Sequence, residues 1–374
     1  MATGTVRGTP AWLRATNNVT AMTLLLEHGP LTRNRLGKLS GLSKPTAAQM
    51  VARLEEAGLI RVAGEVSGGR GPNAVSYAVC AERLVGVAID ITAEAISSTV
   101  VDATGTDQPV AVLPLDAAAD RSAAADVRRA IDAACDAALV SSEAVGLVCV
   151  GVQAAVAQRA DELSFTNTLP GWPTTGARRH LEAELGVSVT IDNDANLAAM
   201  AERAAGSATH VDGFVLLWLG EGLGLAIDVA GQIYRGASGG AGEIGYLAVP
   251  TDAAKLDPAA EDLTALFGAG AWRNLQREYG VDALPALAER VALGLVPVLA
   301  VLDPERIVLG GPIGAEGGSA LATLVASRLA NKTQWTPDVV ASAVVDNPVL
   351  RGAREVLVAE VRDRLFDDVA LITA

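Results

Sequence analysis

The chain has 374 residues, enough for two or three domains with cores of their own. Half of it is hydrophobic, but no apolar run reaches the ~18 residues of a membrane span, and the best, residues 291–302, is short and carries Pro297. The net charge of −14 is uneven: residues 1–80 hold nine Lys or Arg against four acids, a basic segment on an acidic body that confines polyanion contact to the first part.

Residues 18–28 read as a helix with Ala21, Leu24 and Leu25 inward, stopped by Gly29-Pro30. Thr32 is placed to cap a second helix, 33–40, that buries Leu36 and Leu39. After the turn Gly41-Leu42, Ser43 caps a third helix whose first turn tolerates Pro45. One face of it carries Ala47, Met50, Val51 and Leu54, the other Lys44, Thr46, Gln49 and Arg53. Two strand-like runs, 59–63 and 74–79, flank a glycine-rich loop containing Arg70. Three helices and a β-wing make a winged helix-turn-helix. Gln49 suits bidentate pairing with adenine, Arg33, Arg35, Lys44 and Arg53 suit phosphates, and Arg70 suits a groove or backbone. The same pattern also fits a small helical module for protein contacts with a solvated basic face.

From Leu84 the texture changes. Two antiparallel strands, 85–90 and 96–101, precede an Ala-rich helix near 122–139, a buried strand at 145–150 and a helix near 178–185. The run Val189 to Ile191 then breaks into Asp192-Asn193-Asp194-Ala195-Asn196, which opens a helix. A carboxylate at such a strand-to-helix turn can face a cleft, although Asp192 and Asp194 could equally cap the helix. A second half follows: strands at 213–219 and 225–229, a glycine-rich passage 236–246, helices over about 261–302, strands at 306–309 and 339–343, and a last helix, 349–366. Five glycine turns directly after strands put ligand loops at a cleft between two α/β lobes. Three scattered cysteines (Cys80, Cys135, Cys149) read as reduced thiols, and three histidines without CxxC or HxxxH spacing argue against a metal. Residues 1–10 lack an apolar signal core, so a cytoplasmic location is expected.

Four motifs make the chain resemble the ROK family, and its transcriptional regulators in particular: Asp192-Asn193-Asp194-Ala195-Asn196, Ala241-Gly242-Glu243-Ile244-Gly245, Ile307-Val308-Leu309-Gly310-Gly311-Pro312, and Ser43-Lys44 followed by the Gly-Arg wing. The resemblance implies an α/β fold in which an N-terminal winged helix-turn-helix (1–80) joins a two-lobed, actin-like body of the sugar kinase and ribonuclease H type. The lobes are expected at 81–192, with the C-terminal helix of about 349–374 packing back on it, and at 193–348. The resemblance also implies homodimers or homotetramers, a double-stranded DNA operator, and a sugar or sugar-derived effector. Asn193 and Asp194 match the family's sugar-binding pair, in which the aspartate is also the catalytic base. Glu243 matches a sugar-contacting glutamate, and Glu261 a further one. Tyr246, in place of the family's histidine, is suited either to stacking on a pyranose ring or to plain packing.

The departures from the family bear on activity. Its kinases use Asp-x-Gly-Gly-Thr as first phosphate loop, where this chain has Asp90-Ile91-Thr92-Ala93-Glu94, and Leu-Gly-Thr-Gly as second, where it has Leu219-Gly220-Glu221-Gly222. The glycines that admit backbone N–H groups to phosphate are lost from the first loop. Each new carboxylate is expected to repel a triphosphate by several kcal/mol at about 4 Å with an effective dielectric of about 20. The family's zinc-binding Cys-x-Cys-Gly-x-x-Gly-Cys run is absent, and residues 250–262 hold no Cys or His. The expectation is a repressor that senses a sugar with Asn193, Asp194, Glu243, Tyr246 and Glu261, uses no cofactor, and contacts DNA through Arg33, Arg35, Ser43, Lys44, Thr46, Gln49, Arg53 and Arg70. Asp194 is then not catalytic, and no membrane is involved. Two alternatives stand beside it: a dimeric DNA-binding scaffold without ligand, and an active sugar kinase with a DNA-binding domain.

Overall fold

The computed structural model describes residues 8–66, 74–115, 121–166 and 169–372. The first helix, α1 (Pro10–His28), starts eight residues before the expected position. The Thr9 hydroxyl accepts from Trp12 N at 3.1 Å, and Pro10 sits in the first turn, where no N–H is needed. The strand β1 (Leu31–Thr32) leads into α2 (Arg33–Ser40), capped by Thr32, and Ser43 caps α3 (Lys44–Glu56). The strands β2 (Ile60–Val66) and β3 (Ala74–Val79) complete a three-stranded sheet in the order β1-β3-β2. Leu36 is buried as expected, but Leu39 is 36% exposed. Gly37 makes the contact instead, because a Cβ there would lie 3.1 Å from Ala47 Cβ, so α3 approaches α2 on the Leu36–Gly37 side.

The first lobe holds β4 (Val85–Ile91), β5 (Ala95–Val101), β6 (Val110–Pro114), α4 (Ala123–Ala138), β7 (Val145–Val152), β8 (Ala155–Ala157), β9 (Glu162–Ser164), α5 (Ala177–Leu185) and β10 (Ser188–Asn193). Its sheet runs β10-β7-β4-β5-β6, with β10, β7 and β4 parallel. Strands buried on both faces lose the polar alternation of a half-exposed sheet, which is why β4 and β7 read as unbroken apolar runs.

The second lobe begins with α6 (Asp194–Ala205) and continues through β11 (Gly213–Leu219), β12 (Leu223–Val229), β13 (Gln232–Ile233), α7 (Leu263–Phe267), α8 (Ala269–Tyr279), α9 (Ala283–Leu302), β14 (Arg306–Gly310), α10 (Gly311–Lys332) and β15 (Asp338–Ala341). The strand order is β13-β12-β11-β14-β15. Val215, Leu217 and Leu219 face the α7–α10 layer, whereas Phe214 and Leu216 face α6, the two-residue period of a strand covered on both sides. The helical stretch Leu263–Leu302 does contain a window long and apolar enough to cross a membrane, which corrects the expectation that none exists. Half of that window is buried, with Leu287, Val291, Leu295 and Leu299 in the lobe's core, as in the core helix of a large lobe.

The last helix, α11 (Pro348–Leu371), joins the parts. It covers the face of the first sheet opposite α4, packing on Ala88, Leu147 and Cys149. It also crosses α6 at backbone contact: a Cβ on Gly352 would fall 1.8 Å from the Leu197 carbonyl oxygen. On the winged helix side, Met22 and Leu25 of α1 belong to the same apolar cluster as Leu357, Val361 and Leu365 of α11. Of the three free cysteines, Cys135 and Cys149 are buried.

Candidate functional site

On the winged helix, the caps that start α2 and α3 place Arg33, Arg35, Ser43, Lys44 and Gln49 in the exposed set. Thr46 is half-buried, its hydroxyl 2.8 Å from Ser43 Oγ. Arg53 departs from its expected place on a free face. It is half-buried and its Nη2 donates to Oδ1 of the fully buried Asn18 on α1 at 3.2 Å, while burial and Arg14 lower its pKa. Its first task is therefore to join α3 to α1. Arg70 lies outside the described residues.

The cleft of the body is about 340 Å³ and is lined by Asn193, Asp194, Trp218, Glu221, Glu243, Tyr246, Asp262 and Thr264 among others. It opens at the carboxyl ends of the parallel strands: Asp90 on β4 and Asp192 on β10 both stand in register with Gly151 of β7. Four of the five expected effector residues are thus not merely near in sequence but gathered on one cavity. The fifth, Glu261, is exposed and does not line it; its neighbours Asp262 and Thr264 do. Asp262 caps α7 by accepting from Ala265 N at 2.8 Å, which turns Glu261 outward.

The acid-amide turn divides its labour. Asn193, not an aspartate, is the N-cap of α6: its Oδ1 accepts from Asn196 N at 3.2 Å and its Nδ2 donates to the Ala154 carbonyl at 3.1 Å. Asp194 Oδ1 accepts from Ala195 N at 2.7 Å. Asp192 is buried and ion-paired to Arg235, which reaches across from the passage after β13. Arg235 has no local signature, since its partner is far away in the chain. The Asp194 carboxyl is pushed up to about 7 by burial, against which Ala195 N–H pulls down, and Asp90 and Glu243 push it further. Burial alone lifts Asp90 to about 7 and raises Glu243 as well.

At the cleft mouth the rings of Phe165 and Tyr246 stack with centroids 4.6 Å apart and planes at 29°. Phe165 holds a left-handed backbone, φ 58°, a conformation that costs a bulky residue about 1 kcal/mol or more. One face of Tyr246 is therefore occupied by Phe165. Gly242 has φ 96°, and a Cβ there would meet the Leu225 carbonyl oxygen at 1.8 Å, so Glu243 is delivered by a turn that only glycine fits.

In the first phosphate-loop position, Thr92 Oγ1 accepts from Glu94 N (3.3 Å) and Ala95 N (3.1 Å). The backbone N–H groups of Glu94 and Ala95 are thus engaged within their own turn. In the second, Glu221 pairs with Arg273 at 2.6 Å, which holds its carboxyl below the usual range, and Gly220 accepts from Ala269 N at 2.9 Å. Its exposure and its partner reduce the repulsion expected of Glu221. The segment that carries zinc in the family offers no thiolate or imidazole here, and Tyr246 stands where the histidine would. These residues do not fit a zinc site.

A winged helix is thus joined by a shared apolar core to a two-lobed α/β body with an acidic cleft. Residues 86–258 match the ROK family and residues 17–71 the MarR family, so a ROK segment follows an N-terminal MarR-type winged helix. It is 22% identical over 315 residues to the xylose repressor of Bacillus spizizenii, covering 77% of this chain and 80% of that one. It is 33% identical over 182 residues to the bifunctional enzyme NanE/NanK of Brucella suis, covering 44% of this chain and 34% of that one. A crystal structure described as a ROK family transcriptional regulator, homologue of the E. coli MLC protein, superposes with a TM-score of 0.64 at 18% identity, over 96% of this chain and 98% of that one. The matched stretch therefore spans from a third to four fifths of the curated relatives' own length.

Proposed function

We propose that the protein is a transcriptional repressor that binds double-stranded operator DNA through Arg33, Arg35, Ser43, Lys44 and Gln49 and senses a sugar in its cleft without phosphorylating it. The observation that carries this reading is the continuity of α6, α11 and α1. The helix that begins at Asp194 meets α11 at Gly352, and α11 shares its apolar face with α1 of the winged helix. A ligand that prefers one arrangement of the cleft thereby biases the placement of the DNA-binding helices. Relatives named as repressors support the same reading, as does the full-length likeness to a ROK regulator. It acts in the cytoplasm as a homodimer or homotetramer.

Ionised carboxylates accept strong hydrogen bonds from hydroxyls. The cavity is lined by Asp194, Glu221, Glu243 and Asp262, and among the described residues lining it none is Lys or Arg. That chemistry favours an uncharged polyol over sugar phosphates and sugar acids. Asp194, Glu243, Asp262 and Thr264 are its contacts, and Asn193, already engaged as a cap, keeps one amide proton for it.

The kinase reading has one point in its favour, since a carboxyl titrating near 7 suits a general base. Against it, the first phosphate loop spends its donors on Thr92. Thermal-shift screening decides between them. A neutral sugar should raise Tm by mass action and Mg-ATP should leave it unchanged, whereas stabilisation by Mg-ATP together with sugar turnover would favour the kinase.

A further inference from the structure

Tyr246, Asp262 and Thr264 form one wall of the cleft, yet between Tyr246 and Asp262 the chain makes a long excursion away from it. Its neck is closed by Leu263 N donating to the Leu247 carbonyl at 3.0 Å, by the bridge between Ala248 and Asp262, and by Thr264 Oγ1 donating to the Gly245 carbonyl at 3.2 Å. Its far part rests on α9, a helix whose only charged residues are Glu289, paired to Arg328 and Lys332, and Arg290, which is 8% exposed. Arg290 Nη1 donates to Asp257 Oδ2 at 3.0 Å and to the Leu266 carbonyl at 2.9 Å, and Nη2 reaches the Leu256 carbonyl at 3.4 Å. One guanidinium so ties the excursion, the helix α7 that carries Thr264, and α9 to one another. A planar fork with several donors can do this at fixed geometry, and a single ammonium cannot. An arginine so buried is retained only with partners, which makes its presence in an apolar helix informative.

We propose that Arg290, clamped on Asp257, is the positioning residue that orders this pocket wall, and that the wall needs no metal. In the family resembled, a zinc ion orders the corresponding segment; here no Cys or His is available between residues 247 and 262, and the guanidinium hydrogen bonds supply the cross-links. The inference concerns the cleft of the proposed sensor, but its test reads backbone order rather than ligand response, so the two can fail separately.

Hydrogen–deuterium exchange of the full chain, followed in peptides over 247–266, provides that test. EDTA and added zinc should leave exchange there unchanged. Arg290→Met should speed it by about tenfold or more, with peptides over the first-lobe strand Val85–Ile91 retaining their protection. Arg290→Lys should restore part of the protection around Asp257 and little in α7. Should Arg290→Met fail to fold, Asp257→Asn keeps the two carbonyl contacts and should speed exchange within the excursion alone. Faster exchange with EDTA, or no local change in Asp257→Asn and Arg290→Met, overturns the proposal, as does a loss of protection spread evenly over the chain in both variants.

Discussion

Arg235 closes on Asp192 with its Nε 3.2 Å from both carboxylate oxygens, joining the second lobe to the last strand of the first. The pair stands two residues before Asp194, so it fixes the acid-amide turn from behind. Removing one partner strands a charge, and the two deletions are unequal. Asp192 is nearly inaccessible, whereas the Arg235 side chain is about a quarter exposed. Arg235→Met should therefore cost about 3 kcal/mol in urea unfolding, and Asp192→Asn clearly less, because the freed guanidinium can reach water.

The raised carboxyls of Asp90 and Asp194 set a pH dependence. Both titrate near 7 when folded, against 3.8 for the free side chain, so the folded chain holds protons that the unfolded chain has lost. Their contribution is fully present below about pH 4 and disappears as pH rises through about 7. Tm should fall between pH 5 and 8 by these groups' share, and Asp90→Asn should flatten the fall and raise stability at pH 8 by about 1–3 kcal/mol. Sugar affinity should move the other way, strengthening as Asp194 ionises above about pH 7, since only the carboxylate accepts at both oxygens.

On the winged helix, Gln49→Ala should relax base preference, and Lys44→Ala should weaken all DNA alike and lower the salt slope by about one. Arg53→Ala should behave differently from Lys44→Ala. With its link to Asn18 cut, the domain loses about 1 kcal/mol of stability, and DNA binding weakens through misplacement of α3. Chemical denaturation beside fluorescence anisotropy separates the two effects.

Calorimetry with Mg-ATP should detect no binding tighter than about 1 mM. Thr92→Gly should improve on that before Glu221→Thr does, because Glu221 is already answered by Arg273 while Thr92 holds the backbone donors.

What the sequence disclosed was local chemistry. Thr32 and Ser43 announce their helices because a cap and its helix are neighbours in the chain, and the glycine turns and apolar periods place most strands to within two residues. The two-residue β1 was invisible, since only its pairing with Ser76 and Tyr77 makes it a strand. The early start of α1 is marked by the Thr9 cap and first-turn Pro10, not by its apolar spacing. Resemblance alone points to Glu261, but one residue of offset makes Asp262 the helix cap in the cleft and leaves Glu261 a solvent-facing acid. Arg235 and Phe165 gain meaning only across the interlobe gap. Arg290 carries a signal of its own, the one cation in a long and largely apolar helix.

Control of the winged helix by a sugar in the cleft is tested by one titration. The full-length chain bound to its operator is followed by anisotropy while the neutral sugar found by thermal shift is added, in parallel with Asp194→Ala. Saturating sugar should shift operator affinity about 5- to 150-fold in the native chain, and Asp194→Ala should bind the operator normally but no longer respond. Operator affinity unchanged at saturating sugar would contradict such control.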